Sequence, residues 1–165
     1  MPAAAHAHYR VMFVCTGNSC RSPMAEHILR HYLAGAGLAE AVSVASSGLY
    51  AFYPGGAADP RAVAVLRDGG YTSEHTVRQF DPGMFGRYDL IIALASGHEA
   101  ELRAMAADQV PAARIRLLRS FDPAAGGALD VPDPVAGTVA DYERVRRLLE
   151  AAMPGIVMSI RGALG

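Results

Sequence analysis

A cysteine and an arginine bracket five residues near the start of the chain, in the run Cys15-Thr16-Gly17-Asn18-Ser19-Cys20-Arg21-Ser22-Pro23. A loop this short between a strand and a helix can turn several backbone N–H groups toward one point, and the helix N-terminus adds partial positive charge. Arg21 supplies a planar fork that can bind two oxygens of one phosphate. The spacing therefore predicts a cradle for a tetrahedral anion.

The thiol of Cys15 is predicted to lie at the centre of this cradle. The same electrostatic field stabilises a thiolate, which is the nucleophilic form of cysteine. Attack of the sulfur on phosphorus would form a cysteinyl phosphate, and the hydroxyl of Ser22 could donate a hydrogen bond to that sulfur. The C-x5-R spacing alone does not distinguish this site from a structural cysteine followed by a surface arginine.

The elements that must position this loop are indicated by the hydrophobic pattern. Strands are predicted over residues 9–14, 41–45, 89–94 and 113–118, and helices over residues 24–33, 59–66, 97–105 and from 138 onward. The alternation predicts an α/β fold, a doubly wound, four-stranded parallel sheet with helices on both faces, in a single domain over residues 1–165. The Cys15 loop leaves the carboxyl end of the first strand, where such sheets bind ligands.

Two local signals concern the last helix. Thr138, with Asp141 three positions later, is typical of a capping box and predicts that the helix begins there. Pro154-Gly155 is expected to kink or divide the helix, because proline removes one backbone donor.

Composition and charge narrow the classes of function. The net charge of -1 argues against a nucleic-acid partner, and no run of 18 apolar residues predicts a membrane span. Residues 1–10 lack the apolar run of a signal peptide, and two cysteines five positions apart do not form a secreted framework, so a cytoplasmic location is expected. The histidines lack metal-ligand spacing, so we predict no metal and no other cofactor.

The longer string from Val14 to Glu26 closely resembles the signature of the low molecular weight protein tyrosine phosphatase family, whose loop reads C-x-G-N-x-C-R-S-P-M-A-E. The resemblance implies hydrolysis of phosphotyrosine in a protein substrate, with inorganic phosphate as the product. It also implies that the phosphate is bound by the loop residues Thr16, Gly17, Asn18, Ser19, Cys20, Arg21 and Ser22.

Asp133-Pro134 resembles the acidic loop of the same family. The resemblance implies that Asp133 protonates the leaving oxygen and then activates water. Without the Cys15 loop, an aspartate before proline would be interpreted as a turn residue. Asp130 is a nearby competitor, but it precedes Val131 and matches the family pattern less well.

Further residues match the family around the loop. Asn18, Ser46 and His75 resemble the hydrogen-bond set that holds the loop asparagine in a left-handed conformation, which asparagine tolerates well. The resemblance also suggests that Cys20 is a redox partner, able to form a disulfide with Cys15 that protects the nucleophile from over-oxidation.

The sequence departs from the family pattern at the rim of the predicted cleft. Val135-Ala136 replace two tyrosines that usually wall the cleft, so the opposite wall is assigned to Phe52, with Tyr50 and Tyr53 near it. Ser19 stands where tyrosine-specific members carry isoleucine and the phosphoarginine-directed branch carries threonine. Leu94-Ala95 lack the aspartate that usually follows the third strand.

Three other functions are alternatives to that of a tyrosine phosphatase. A protein arginine phosphatase on the same fold is the main one, because of Ser19. Thioredoxin-coupled arsenate reductase needs two further cysteines, and Cys15 and Cys20 are the only cysteines of the chain. A non-catalytic phosphate binder would not need the combination of Cys15, Arg21 and Asp133.

Overall fold

The computed structural model of the protein describes residues 8–165. Residues 1–7 therefore lie outside the described part of the chain. They make up most of the segment in which no signal peptide is predicted, and the predicted single domain begins with them. Among the helices of residues 8–165, none combines the length and the apolar character that a bilayer span needs.

Four parallel strands form one sheet in the order β2-β1-β3-β4. The strands are β1 (Tyr9–Cys15), β2 (Val42–Gly48), β3 (Leu90–Ala93) and β4 (Ile115–Leu117). The helices are α1 (Arg21–Gly35), α2 (Pro60–Asp68), α3 (Ser96–Ala106) and α4 (Val139–Leu164), and short 3-10 turns cover Pro82–Gly86, Ala112–Arg114 and Leu118–Phe121. The predicted α/β fold is confirmed, with β4 shorter than expected because 3-10 turns occupy both of its ends.

Alternate side chains of β1 supply the two halves of the core. Val11 and Phe13 belong to a cluster that includes buried residues of α1, α2 and α4. Met12 and Val14 belong to a second cluster that includes Leu102 of α3. Because successive side chains of a strand point to opposite faces, a central strand with both sets buried must be covered by helices on both sides.

The last helix is not divided at Pro154. Helix α4 runs without interruption over Val139–Leu164, so the expected division at Pro154-Gly155 is wrong. Its buried stripe continues on both sides of the proline, at Leu149, Ala152, Met153, Ile156 and Ile160, and this packing offsets the one hydrogen bond that proline removes.

Gly155 does not end the helix but allows a close packing contact. A β-carbon at this position would lie 2.2 Å from the carbonyl oxygen of Phe121, so the 3-10 turn before the acidic segment approaches the helix backbone closely. The predicted capping box is present at the start of α4, where the Asp141 carboxylate accepts from the Thr138 amide at 2.7 Å.

Candidate active site

Every backbone carbonyl from Cys15 to Cys20 accepts a hydrogen bond, and all but that of Gly17 accept it from a residue outside the loop. The donors, in the order of the carbonyls, are the Leu49 and Tyr50 amides, the Ser19 hydroxyl, His75 Nε2, the Asp59 amide and the Met24 amide, at 2.8–3.4 Å. Within residues 8–165, no N–H group of residues 16–20 donates to a backbone acceptor. With the carbonyls bonded outward, these N–H groups are left to bind an anion.

Asn18 is the turning point of this loop. Its backbone is left-handed, with φ 56°. Its side-chain amide donates to Ser22 Oγ and to Ser46 Oγ, both at 2.9 Å, and its Oδ1 accepts from the Arg78 amide at 2.9 Å. The structure thus brings together Asn18, Ser46 and His75, the three residues that the sequence grouped as a supporting set.

Gly48, at the end of β2, is a part of the site that the sequence analysis missed. A β-carbon there would lie 2.6 Å from the Thr16 carbonyl oxygen and 2.8 Å from the Asn18 nitrogen. Both neighbours are backbone atoms, so only glycine allows β2 to approach the loop this closely. A glycine three positions after a predicted strand was the available signal.

Cys15 lies at the base of the cradle, and the residue is 3% exposed. Ser22 Oγ is 2.9 Å from the Cys15 sulfur and also accepts the Asn18 amide hydrogen bond. The hydroxyl hydrogen of Ser22 therefore has two acceptors within reach, the Cys15 sulfur at 2.9 Å and the Ser47 carbonyl at 3.4 Å, and a thiolate at Cys15 would be the stronger acceptor.

Arg21, the first residue of α1, is buried beside the loop. Its Nη1 donates to the Val131 carbonyl at 3.0 Å, and its Nη2 donates to Thr16 Oγ1 at 3.4 Å. The same Nη2 lies 3.5 Å from Asp133 Oδ2. These contacts fix the plane of the guanidinium at the edge of the anion cradle.

Asp133 lines the same cleft as Cys15, and its side chain is 48% exposed. Its Oδ1 accepts from the Val135 amide at 3.1 Å, which is the turn geometry expected of an aspartate before proline. Its other oxygen faces Arg21. One oxygen of the Asp133 carboxylate therefore forms the turn, and the other remains for the role of acid, so the two interpretations do not exclude each other.

Asp130 has a separate structural role. Its carboxylate accepts from the Ser96 amide at 2.7 Å and from Ser96 Oγ at 3.2 Å. It thereby caps the N-terminus of α3, which Ala95 at the cap position cannot do with its own side chain. Asp130 does not line the cleft, so the geometry favours Asp133 as the acid.

An open cleft of about 390 Å³ surrounds the cradle. Phe52, Tyr53 and Val135 line it together with the loop residues. Phe52 lies against Gly17, where an added β-carbon would be 3.8 Å from its ring. Tyr50 is not part of this wall: its hydroxyl donates to Glu101 Oε2 at 2.9 Å, so the assignment of Tyr50 to the wall is corrected.

A larger groove of about 510 Å³ lies between α1 and α4, but it contains no cysteine, arginine or carboxylate. Its lining consists of His31, Tyr32, Gly35, Ala36, Tyr71, Pro154 and Val157. In residues 8–165 no cluster of three or more His, Cys, Asp or Glu side chains is arranged to hold a metal ion.

Cys20, which lines the same cleft, is held by a residue of α4. Its sulfur lies 3.2 Å from the Tyr142 hydroxyl. Burial, opposed by this hydrogen bond, raises the pKa of Cys20 to about 11, so the side chain is a thiol at neutral pH. Both cysteines are free, and the role of Cys20 as a redox partner stays a prediction.

His98 of α3 also contacts the loop, and no local sequence pattern indicated it. Its Nε2 lies 2.8 Å from Thr16 Oγ1, the hydroxyl that also binds Arg21. Burial, and next the charge of Arg21, lower the pKa of His98 to about 4. The ring is therefore neutral at physiological pH and adds no repulsion to the guanidinium.

His98→Gln should make the free energy of unfolding less sensitive to acid. A histidine in the unfolded chain binds a proton near pH 6.5, whereas His98 in the folded protein binds one only near pH 4. The folded protein is therefore fully stable above pH 6.5 and loses stability as the pH falls from 6.5 toward 4, because protons bind the unfolded chain preferentially. We expect the wild type to lose on the order of 1–2 kcal/mol more than the variant over this window, measured by urea titration at each pH. Parallel stability curves would contradict the assignment.

Comparison with known proteins agrees with this geometry. The sequence model of the family "Low molecular weight phosphotyrosine protein phosphatase" matches residues 10–163. A low molecular weight protein-tyrosine-phosphatase of Streptomyces coelicolor is 49% identical over 154 residues, which is 93% of this chain and 94% of the relative.

The crystal structure of a protein tyrosine phosphatase from Entamoeba histolytica superposes with a TM-score of 0.89 at 27% identity, covering 94% of this chain and 98% of the other. A more distant relative, a protein-arginine-phosphatase of Bacillus subtilis, is 30% identical over 151 residues, 92% of this chain and 96% of that protein. Sequence and fold agree along nearly the whole chain: it belongs to the low molecular weight phosphotyrosine protein phosphatase family.

Proposed function

We propose that the protein hydrolyses phosphotyrosine residues of proteins through a cysteinyl-phosphate intermediate on Cys15. The observation that carries this proposal is a buried thiol in a loop whose carbonyls are all hydrogen-bonded, while within residues 8–165 no N–H group of residues 16–20 donates to a backbone acceptor. That arrangement favours a dianion at the sulfur, and Arg21 can supply two further donors to its oxygens.

In the first step, the loop N–H groups and Arg21 hold the phosphoryl group over Cys15. The sulfur attacks phosphorus, an S–P bond forms, and the bond from phosphorus to the tyrosine oxygen breaks. Asp133 gives its proton to that oxygen, so tyrosine leaves as a neutral phenol. The half-exposed position of Asp133 suits this role, because the carboxyl must reach a leaving group at the cleft mouth.

In the second step, Asp133 is a carboxylate and takes a proton from water. The oxygen of that water attacks phosphorus, the S–P bond breaks, and inorganic phosphate leaves with the thiolate restored. Two free cysteines so close to each other fit a reducing compartment, which supports a cytoplasmic location.

Phosphotyrosine is favoured as the substrate because one aromatic wall remains. Losing the second wall at Val135 removes about 0.5–1.5 kcal/mol of aromatic contact. That is at most about a tenfold change in affinity, too small by itself to reverse the preference while Phe52 lines the cleft. The relative from Streptomyces coelicolor, named a tyrosine phosphatase, supports the same choice.

Cys15→Ser should abolish turnover of an aryl phosphate and leave the anion cradle able to bind. The serine hydroxyl is a far weaker nucleophile than a thiolate, whereas the loop N–H groups are unchanged. Steady-state kinetics should therefore fall to background, while calorimetry still detects binding of inorganic phosphate. Substantial residual turnover would contradict the covalent mechanism.

Asp133→Ala should slow phenyl phosphate far more than p-nitrophenyl phosphate. A positioned acid contributes about 10²–10⁴-fold, and protonation matters most when the leaving group is poor. The two kcat/KM values give the comparison directly, because they do not include the hydrolysis of the intermediate that both substrates share.

Asp130→Ala is the matched control for this test. It removes the cap of α3, so we expect a lower melting temperature and equal effects on the two aryl phosphates. Equal losses of kcat/KM on both substrates in the Asp133 variant would assign Asp133 to the turn alone.

A protein arginine phosphatase is the second candidate. Ser19 supports it, because this residue lines the cleft with a hydroxyl where isoleucine is typical of tyrosine-specific members. The Bacillus subtilis relative, named a protein-arginine-phosphatase, supports it as well. The Ser19 hydroxyl reaches the Gly17 carbonyl at only 3.4 Å, so it is available to a polar substrate.

Ser19→Ile separates the two candidates. If the protein is a tyrosine phosphatase, the wild type should prefer phosphotyrosine peptides in a direct rate comparison, and the variant should change kcat/KM for them by less than about tenfold. If the wild type prefers phosphoarginine peptides, and the variant loses that activity, the tyrosine proposal is wrong while the Cys15 mechanism stands.

A further inference from the structure

Arg61, in the first turn of α2, contacts the segment that follows Asp133. Its Nη1 donates to the Gly137 carbonyl at 2.7 Å, and its Nη2 donates to the Val135 carbonyl at 3.0 Å. These bonds join residues 74 to 76 positions apart in the chain. Neither bond depends on the side chain at position 135 or 137.

The guanidinium of Arg61 is itself held in place. Asp59 accepts from its Nε at 3.0 Å and from its Nη2 at 2.9 Å, a bidentate pair that fixes the plane of the fork. The ring of Tyr142 lies beneath it, with 4.7 Å from the guanidinium carbon to the ring centroid.

The residues that hold Arg61 also hold the phosphate loop. The Asp59 amide donates to the Ser19 carbonyl at 2.9 Å, and the Tyr142 hydroxyl contacts the sulfur of Cys20. Arg61 therefore connects the acidic segment to the phosphate loop by two short routes, each passing through one residue.

The other side of Asp133 is anchored as well. The Val131 amide donates to the Leu94 carbonyl at 2.9 Å, and the Val131 carbonyl accepts from Arg21. Pro132 and Pro134 flank Asp133 and restrict the backbone between the anchors. The acid thus lies on a short span with one arginine fixing each end.

We propose that Arg61 is a positioning residue that holds Asp133 at the distance from the cradle needed to protonate the leaving group. This inference rests on the proposed function of Asp133. A lysine cannot replace Arg61, because one ammonium group cannot bind two carbonyls and a carboxylate in a single plane.

The test is a double-mutant cycle of Arg61→Met and Asp133→Ala, with kcat/KM measured on p-nitrophenyl and phenyl phosphate, because kcat/KM excludes the later hydrolysis of the intermediate that both substrates share. Since a positioned acid is worth about 10²–10⁴-fold, we expect Arg61→Met to lower kcat/KM on phenyl phosphate by about tenfold or more. We expect it to change kcat/KM on p-nitrophenyl phosphate by about twofold or less. Added to Asp133→Ala, it should cause no further loss on phenyl phosphate.

Arg67→Met is the matched control, because Arg67 lies on the same helix and its Nε contacts only the exposed Ser73 hydroxyl, at 3.3 Å. It should behave as wild type on both substrates. Arg61→Lys provides a second variant if methionine prevents folding, and it should reproduce the loss on phenyl phosphate.

Equal losses on the two substrates, or losses that multiply with those of Asp133→Ala, would overturn the positioning role. A failure of the proposed function gives a different result. In that case Asp133→Ala alone would not discriminate between the two leaving groups.

Discussion

The site depends on one constraint: six consecutive carbonyls must be hydrogen-bonded while the N–H groups of the same loop are left to meet at one point. The loop satisfies the Gly17 carbonyl itself, through the Ser19 hydroxyl, and α1 satisfies that of Cys20 through the Met24 amide. The rest of the fold supplies the other four donors, from the end of β2, the start of α2 and the segment that carries His75. Much of the chain between β1 and β3 thus serves to shape one loop.

The sheet order places this loop where the donors can reach it. β1 is flanked by β2 on one side and β3 on the other, so the chain leaves β1 at the point where strand order reverses. The segment after β2 then passes over one side of the loop, and the Asp133 segment, bonded to Leu94 just beyond β3, passes the other. Cys15 and Asp133 line one cleft although 118 positions separate them in the chain.

The sequence predicted the element order and the loop well, because hydrophobic periodicity, helix-capping residues and the run of residues around Cys15 are all local patterns. It failed where the outcome depends on distant contacts. Pro154 predicted a kinked or divided helix, but α4 is not divided, because the apolar residues on both sides of the proline are buried. Tyr50 lies close to Phe52 in the sequence and was therefore expected in the cleft wall. Its hydroxyl instead donates to Glu101 of α3, outside the cleft. Gly48, His98 and Arg61 touch partners that no short window of sequence contains.

Four of the six donors to the loop carbonyls are backbone amides, those of Leu49, Tyr50, Asp59 and Met24. An amide is present whichever side chain its residue carries, so most of the scaffold of the reactive loop is indifferent to substitution at those positions. Phe52, Tyr53 and Val135 line the cleft and donate to none of these carbonyls, whereas Ser19 both lines the cleft and donates to the Gly17 carbonyl. A lineage can therefore vary three positions of the rim while inheriting the loop unchanged, and only at Ser19 does a change of the rim also remove a donor from the loop.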